Sequence, residues 1–280
     1  MLVNAPEGSS RHFSFRGERV HFIEMGAGPP VVLLHGAGPG ASGWSNFSRN
    51  AAALARNFRL LIVDCPGWGE SGPGDYSGGL FGTLAELAGE LLDHLQLPTA
   101  HFIGNSMGGG TTLQFALRHP ERVGRMILMA PAGLLATHSV MPTEGQKLIF
   151  TYYMTERPTR VTLEAFLDQM VFDRSRLTEE LIAERYARSV APQALRFPPL
   201  RADRLPPIEE LWREDLRRLD HRVLMLWGRD DRTVPLDTAF SALKQLRNAE
   251  MHVFCQCGHW VQWEYADRFN DLALEFLKRS

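Results

Sequence analysis

The stretch Gly104-Asn105-Ser106-Met107-Gly108 sets a serine in a G-x-S-x-G pattern, a spacing that suits a nucleophile held on a tight turn. A serine hydroxyl attacks poorly until a base takes its proton and a third group fixes that base. Ser106 follows the apolar run "AHFIG" and precedes "GGGTTLQFALRH", so the turn would join a strand to a helix, with Gly104, Gly108 and Gly109 leaving room for it. The acid should end a later strand, where "RVLMLWGRDDRTVP" offers Asp230 and Asp231. The pattern G-x-x-D-x-x-x-P, from Gly228 to Pro235, selects Asp231 and leaves Asp230 as a solvated turn residue. His259, in "CGHW" beyond the last apolar run, is the candidate base.

Serine, then aspartate, then histidine is the chain order of α/β-hydrolases. A tetrahedral oxyanion also needs two preorganised N–H donors. Met107, just after the nucleophile, and Ala37, in the loop "HGAGPGASGW", are the candidates. A phosphate cradle is the rival reading of that loop, but no Lys-Ser/Thr pair follows it. His35 closes the run "PVVLL" and reads as structural, while His119, His221 and His252 read as helix-end, surface or strand positions. Cys65, Cys255 and Cys257 lack disulfide-framework spacing, and "CQCGHW" lacks the fourth ligand of a structural zinc site. No metal and no cofactor is expected.

These residues need a scaffold. Apolar runs such as "VHFIEMG", "PVVLLHG", "RLLIVDCPG", "AHFIGNS", "RMILMAP", "RVLMLWG" and "MHVFCQCG" read as strands buried on both faces. Helical patterns fall at Trp44 to Leu54, Leu80 to Leu95, Gly109 to His119, Asp237 to Gln245 and Ala266 to Leu277. The alternation predicts an α/β fold: a mostly parallel sheet with helices on both faces and an antiparallel edge near His12 to Met25. From about Leu135 to Pro207 only helical stretches occur, followed by the Pro-rich "FPPLRADRLPP". That predicts a helical lid over 135–207 between core segments 1–134 and 208–280.

A chain of 280 residues, 44% hydrophobic and 22% charged, can bury the core of one such domain. Its 30 basic and 32 acidic residues form no long single-sign run, which favours a small-molecule partner over nucleic acid or an acidic membrane surface. The start "MLVNAPEGSSRHF" lacks the pattern of a secretory leader, and no apolar run approaches the roughly 20 residues that span a bilayer. A soluble cytoplasmic protein is the expectation.

The segments "HGAGPGASGWSNFSRN", "DCPGWGESG", "GNSMGGGTTLQFALRHPERVGRMILMAP", "WGRDDRTVPLD" and "CGHWVQWEYADRFNDL" together resemble the meta-cleavage product hydrolases, α/β-hydrolases that cleave carbon–carbon bonds in aromatic and steroid degradation. The likeness runs from about Val31 to Phe276 and reaches the lid at "EGQKLIF" and "LTEELIAER". It implies an eight-stranded core, no cofactor, and hydrolysis of a 2-hydroxy-6-oxohexa-2,4-dienoate substituted at carbon 6. The products would be 2-hydroxypenta-2,4-dienoate and a carboxylic acid. Relatives are commonly dimers or higher assemblies, which implies a homo-oligomer.

By the same resemblance Arg185 supplies the cation for the substrate carboxylate, a role its neighbours in "ELIAERY" do not reveal. Asn46, Asn105 and Trp260 match residues that hold the dienoate and assist its tautomerisation. Ser175 matches more weakly, and the backbones of Ala37 and Gly38 complete that end. Met170, Trp212 and Val234 are expected near the carbon-6 substituent. Two features depart from the family pattern: Ala37 stands where many relatives have glycine, and "MTERPTRVTLEAF" is longer than in biphenyl-type relatives. A carboxylesterase with the same triad, or a lidded receptor with residual hydrolysis, remains open on the residues alone.

Overall fold

Apolar runs that cannot face water on either side must pair in the middle of a sheet, and the computed structural model, which describes residues 8–134, 142–154 and 158–279, places them there. The strands are β1 (Gly8–Phe15), β2 (Glu18–Met25), β3 (Pro30–Leu34), β4 (Arg59–Val63), β5 (Ala100–Asn105), β6 (Val123–Met129), β7 (Val223–Gly228) and β8 (Ala249–Phe254). They form one eight-stranded sheet in the order β1-β2-β4-β3-β5-β6-β7-β8. The pairs β1–β2 and β2–β4 are antiparallel and the rest parallel. The expected antiparallel edge is the β1–β2 hairpin. Its two-residue turn, Arg16-Gly17, takes positive φ at both positions (51° and 84°), which matches the twist of the flanking strands.

The α-helices are α1 (Gly43–Leu54), α2 (Leu80–His94), α3 (Met107–Arg118), α4 (Glu144–Thr151), α5 (Arg160–Met170), α6 (Glu179–Ser189), α7 (Pro192–Arg196), α8 (Asp237–Gln245), α9 (Val261–Glu264) and α10 (Ala266–Lys278). On one sheet face α2 and α3 bury Phe81, Leu84 and Phe115 against Phe102 and Trp227. On the other, α1 and α10 bury Phe47 and Phe269 against Leu33 and Ile127. Between β6 and β7 the described residues form no strand; α4 to α7 make a helical excursion, with part of the expected lid, 135–141 and 155–157, outside the described residues. Thr143, Thr159 and Thr178 cap α4, α5 and α6, each hydroxyl accepting an early backbone N–H. A third apolar cluster seats the excursion on the core: Leu163, Phe166, Leu167 and Met170 of α5 pack with Trp260, just before α9, and Trp263 within it.

Two details aim this frame at one point. β3 and β5 are neighbours while β4 lies on the far side of β3, so chain order reverses there and opens a crevice beyond the strand ends. Buried Asp64, just past β4, anchors the start of α1. Its Oδ1 accepts Gly43 N–H at 2.7 Å, and its Oδ2 accepts Glu70 N–H at 2.9 Å and His21 Nδ1–H at 2.8 Å. Burial pushes the Asp64 carboxyl up, but the hydrogen bonds from His21 and the Glu70 backbone outweigh it and leave the group below its ordinary value. No helix among the described residues is long and apolar enough to cross a membrane.

Candidate active site

Ser106 is the hinge between β5 and α3. Its φ of 52° and ψ of −112° are costly for a residue with a Cβ, and the surroundings fix them. Ser106 N–H donates to Met129 O of β6 at 2.8 Å, and Ser106 O accepts Gly110 N–H and Ala132 N–H at 3.0 and 2.9 Å. A Cβ on Gly104 would lie 2.3 Å from Gly108 O, and one on Gly108 would lie 2.1 Å from Leu34 O. Only glycine at both positions lets α3 start so close to the strands. This is why α3 begins at Met107, two residues before the helix start expected from the apolar pattern.

His259 and Asp231 meet beyond the ends of β8 and β7. His259 Nδ1 lies 2.7 Å from Asp231 Oδ2, and both side chains are buried. Asp231 Oδ1 accepts Thr233 N–H and Val234 N–H at 2.8 and 2.9 Å. A carboxylate so surrounded can only accept, so the imidazole proton sits on Nδ1 and Nε2 is left as a base. Asp230 instead points outward, 3.4 Å from Arg229 Nη2. Met170 O at the end of α5 accepts both His259 N–H (2.8 Å) and Trp260 N–H (3.2 Å), which ties the histidine loop to the excursion. Ser106 and His259 line one small cavity, and catalytic hydrogen bonds that are long or poorly aligned without substrate tighten when it binds.

Ser106 faces two cavities. One, about 10 Å³, is lined by Ala37, Gly38, Asn46, Asn105, Arg185, His259 and Trp260. The other, about 280 Å³, is lined by Ala37, Met107, Trp212 and Val234 among others. Ala37 and Met107 therefore flank Ser106 together, as two oxyanion donors must.

Arg185 is the unusual residue of the smaller cavity. It is 1% exposed, its Nε donates to Pro39 O at 2.9 Å, and its Nη2 is buried with no hydrogen-bond partner among the described residues. Among the described residues no carboxylate lies within 4.0 Å of it. Burial pulls the guanidinium down to about 10, so it stays protonated at neutral pH. It lies over the rings of Trp260 (5.3 Å) and Phe166 (6.0 Å). A Cβ on Gly38 would sit 2.8 Å from its Nη2 and 2.5 Å from Phe166 Cζ, so glycine is what admits the cation.

Beside it runs a line of buried amides. Gln262 Nε2 donates to Asn46 Oδ1 at 3.1 Å, and Asn46 Nδ2 approaches Asn105 Oδ1 at 3.4 Å. Asn105 Nδ2 reaches Met129 O and His259 O at 3.3 and 3.5 Å. These last contacts are long, which leaves the amides able to re-pair with a ligand. Sequence reasoning missed Gln262 and Phe166; the only sign of Gln262 was its place three residues past His259 in "GHWVQW".

Two expected positions fall elsewhere. Ser175 is exposed, and its hydroxyl donates to Asp173 Oδ1 at 2.7 Å within the short turn Arg174–Arg176, away from both cavities. Local hydrogen bonding claims the side chain that the resemblance had assigned to substrate. Met170 lines the small polar cavity, not the larger one with Trp212 and Val234. His35 is fully buried, Nδ1 against Gly36 O at 2.8 Å and Nε2 accepting Cys65 N–H at 3.0 Å, and burial lowers its pKa. Cys65 and Cys257 are buried and Cys255 exposed; among the described residues no three His, Cys, Asp or Glu side chains gather as a metal-ligand set.

A buried serine on a strand–helix elbow with an aspartate-oriented histidine defines an α/β-hydrolase, and the family described as "alpha/beta hydrolase fold" matches residues 29–266. Within that class the 2-hydroxy-6-oxo-6-phenylhexa-2,4-dienoate hydrolase of Comamonas testosteroni is 40% identical, over 99% of this chain and 100% of the relative. A 2-hydroxy-6-oxononadienedioate/2-hydroxy-6-oxononatrienedioate hydrolase of Burkholderia vietnamiensis is also 40% identical, over 93% and 91%. The solved structure of a meta-cleavage product hydrolase from Pseudomonas fluorescens superposes with a TM-score of 0.82 at 32% identity, over 95% and 97%. The chain belongs to the meta-cleavage product hydrolase family of the α/β-hydrolase superfamily.

Proposed function

We propose that the protein hydrolyses the C5–C6 bond of a 2-hydroxy-6-oxohexa-2,4-dienoate substituted at carbon 6, giving 2-hydroxypenta-2,4-dienoate and a carboxylic acid. One observation carries the assignment of substrate ends: a buried guanidinium with no carboxylate partner among the described residues shares a cavity with the nucleophile and the base. A buried cation without a counter-charge is costly, and an anionic ligand removes that cost. A simple ester has no carboxylate to offer, so the same triad in an esterase would leave Arg185 unexplained.

In this reading the dienoate carboxylate pairs with Arg185, and the 2-hydroxyl end lies among Asn46, Asn105 and the Gly38 backbone. The 6-keto carbon comes to Ser106. His259 Nε2 helps move the enol proton to carbon 5, so the C2 carbonyl becomes an electron sink. Ser106 Oγ then attacks carbon 6, with its proton passing to Nε2 and the oxyanion held by Ala37 and Met107 N–H. The C5–C6 electrons flow back to the C2 carbonyl as the bond breaks and the Nε2 proton passes to that oxygen, which releases the dienol and leaves an acyl-serine that water, deprotonated by the freed Nε2, cleaves. Water activated directly by His259 would give the same products through a gem-diol, and a burst of dienol release distinguishes the acyl-enzyme.

The cavity on the Arg185 side holds about one water at about 10 Å³, too little for the dienoate head. Binding therefore requires the walls to move apart, and since Phe166 and Met170 of α5 are among them, the helical excursion acts as a lid. The test is to follow loss of the dienoate chromophore with wild type and Ser106→Ala. A fall in kcat of about 1,000-fold or more is expected, with substrate binding retained, and near-wild-type cleavage would refute the nucleophile.

A further inference from the structure

The larger cavity, which Arg185 does not line, has Leu80, Phe81, Ile149, Phe150, Leu200 and Val234 among its walls. In the proposed orientation it receives the carbon-6 substituent. A substituent ending in a carboxylate would need a cation or a cluster of free N–H groups there, and the N-terminus of α2, at Leu80 and Phe81, is a place where such groups converge. That place is already filled. Glu209, itself a wall residue, accepts Phe81 N–H on Oε2 at 2.9 Å and Gly82 N–H on Oε1 at 2.6 Å. The helix has no cap of its own, since its N-cap is Gly79, so Glu209 is a cap delivered from a distant part of the chain. Glu210 also lines the cavity, but it is half exposed and its charge is met by Arg213 at 2.6 Å, which leaves Glu209 as the carboxylate that matters. Neutral side chains also line the wall, among them Gln146 and Trp212, whose Nε1–H is buried with no acceptor among the described residues.

We propose that Glu209 is a specificity-determining residue: by occupying the α2 N-terminus it makes the cavity reject a carboxylate-bearing substituent and select an uncharged, largely apolar one, whose neutral oxygen can accept from Trp212. The proposal rests on the dienoate reading above and narrows its substrate class. A charged substituent would bring like charge against Glu209 with no cation among the lining residues to offset it, whereas an uncharged group loses little on entering apolar walls. Replacing Glu209 by glutamine keeps one acceptor for the helix and removes the charge.

The test compares kcat/KM for dienoates carrying phenyl, 2-carbamoylethyl and 2-carboxyethyl at carbon 6. The last two are nearly isosteric and differ in charge. Wild type should prefer carbamoylethyl to carboxyethyl by at least about tenfold, and Glu209→Gln should shrink that ratio to below about threefold. Trp212→Phe should lower the carbamoylethyl-to-phenyl ratio. Equal cleavage of carbamoylethyl and carboxyethyl substrates by wild type would overturn the proposal without needing any variant, and so would a ratio unmoved in a folded Glu209→Gln. If none of the three is cleaved, the carbon–carbon reading itself falls, an outcome distinct from loss of discrimination between them.

Discussion

Arg185→Met separates a structural arginine from one held ready for substrate. In the free protein the substitution removes the Nε hydrogen bond to Pro39 O, worth about 1.5–3 kcal/mol for a charged donor. It also removes a buried, uncompensated charge whose desolvation costs several kcal/mol, and methionine fills much of the same space between Trp260 and Phe166. The two effects oppose, so folding stability should change by no more than about 2 kcal/mol, in either direction. Catalysis has no such offset. Losing one partner of a buried charge pair costs about 3–5 kcal/mol, which lowers kcat/KM for the dienoate by roughly 100- to several thousand-fold. An uncharged aryl ester, which never used the cation, should change by less than about threefold. Thermal melts and the two kinetic assays decide it. A variant that melts far below wild type and loses both activities equally would show that Arg185 holds the lid together and does not bind substrate.

Asp231→Asn should lower kcat by about 10,000-fold through loss of the correct histidine tautomer, while Asp230→Asn, which alters only an outward-facing pair, should stay within about twofold. Steady-state kinetics on the same dienoate would rank them, and the reverse order would contradict the geometry. The Asp64 carboxyl is held below its ordinary value, so its contribution to stability is present above that value and is lost as pH falls through the lowered one. Asp64→Asn should therefore cost about 2–4 kcal/mol in denaturant titrations at pH 7, with the gap to wild type narrowing below about pH 4; a constant gap would remove the carboxylate from the account.

The chain order of Ser106, Asp231 and His259 could be read because each sits at a strand end marked by glycine, and the period of the apolar runs gave the sheet and its helices. What could not be read is what tertiary packing decides. Glu209 sits in a Pro-rich stretch with no local sign that it caps a helix beginning at residue 80. Which side chains reach each cavity depends on where α5 lands: Met170 lines the small one and not the larger one with Trp212 and Val234. For Ser175 the reason is simpler: it sits on an exposed turn where Asp173 takes its hydroxyl, while Arg185 on α6 is buried.

The central claim is that Ser106, served by His259 and Asp231, breaks a carbon–carbon bond in a dienoate anchored at Arg185. The most direct measurement is product analysis after complete turnover of a 6-phenyl dienoate by the purified protein. Equimolar benzoate and 2-hydroxypenta-2,4-dienoate, formed by wild type and not by Ser106→Ala, is the result predicted. Rapid hydrolysis of aryl esters with the dienoate left intact would contradict it.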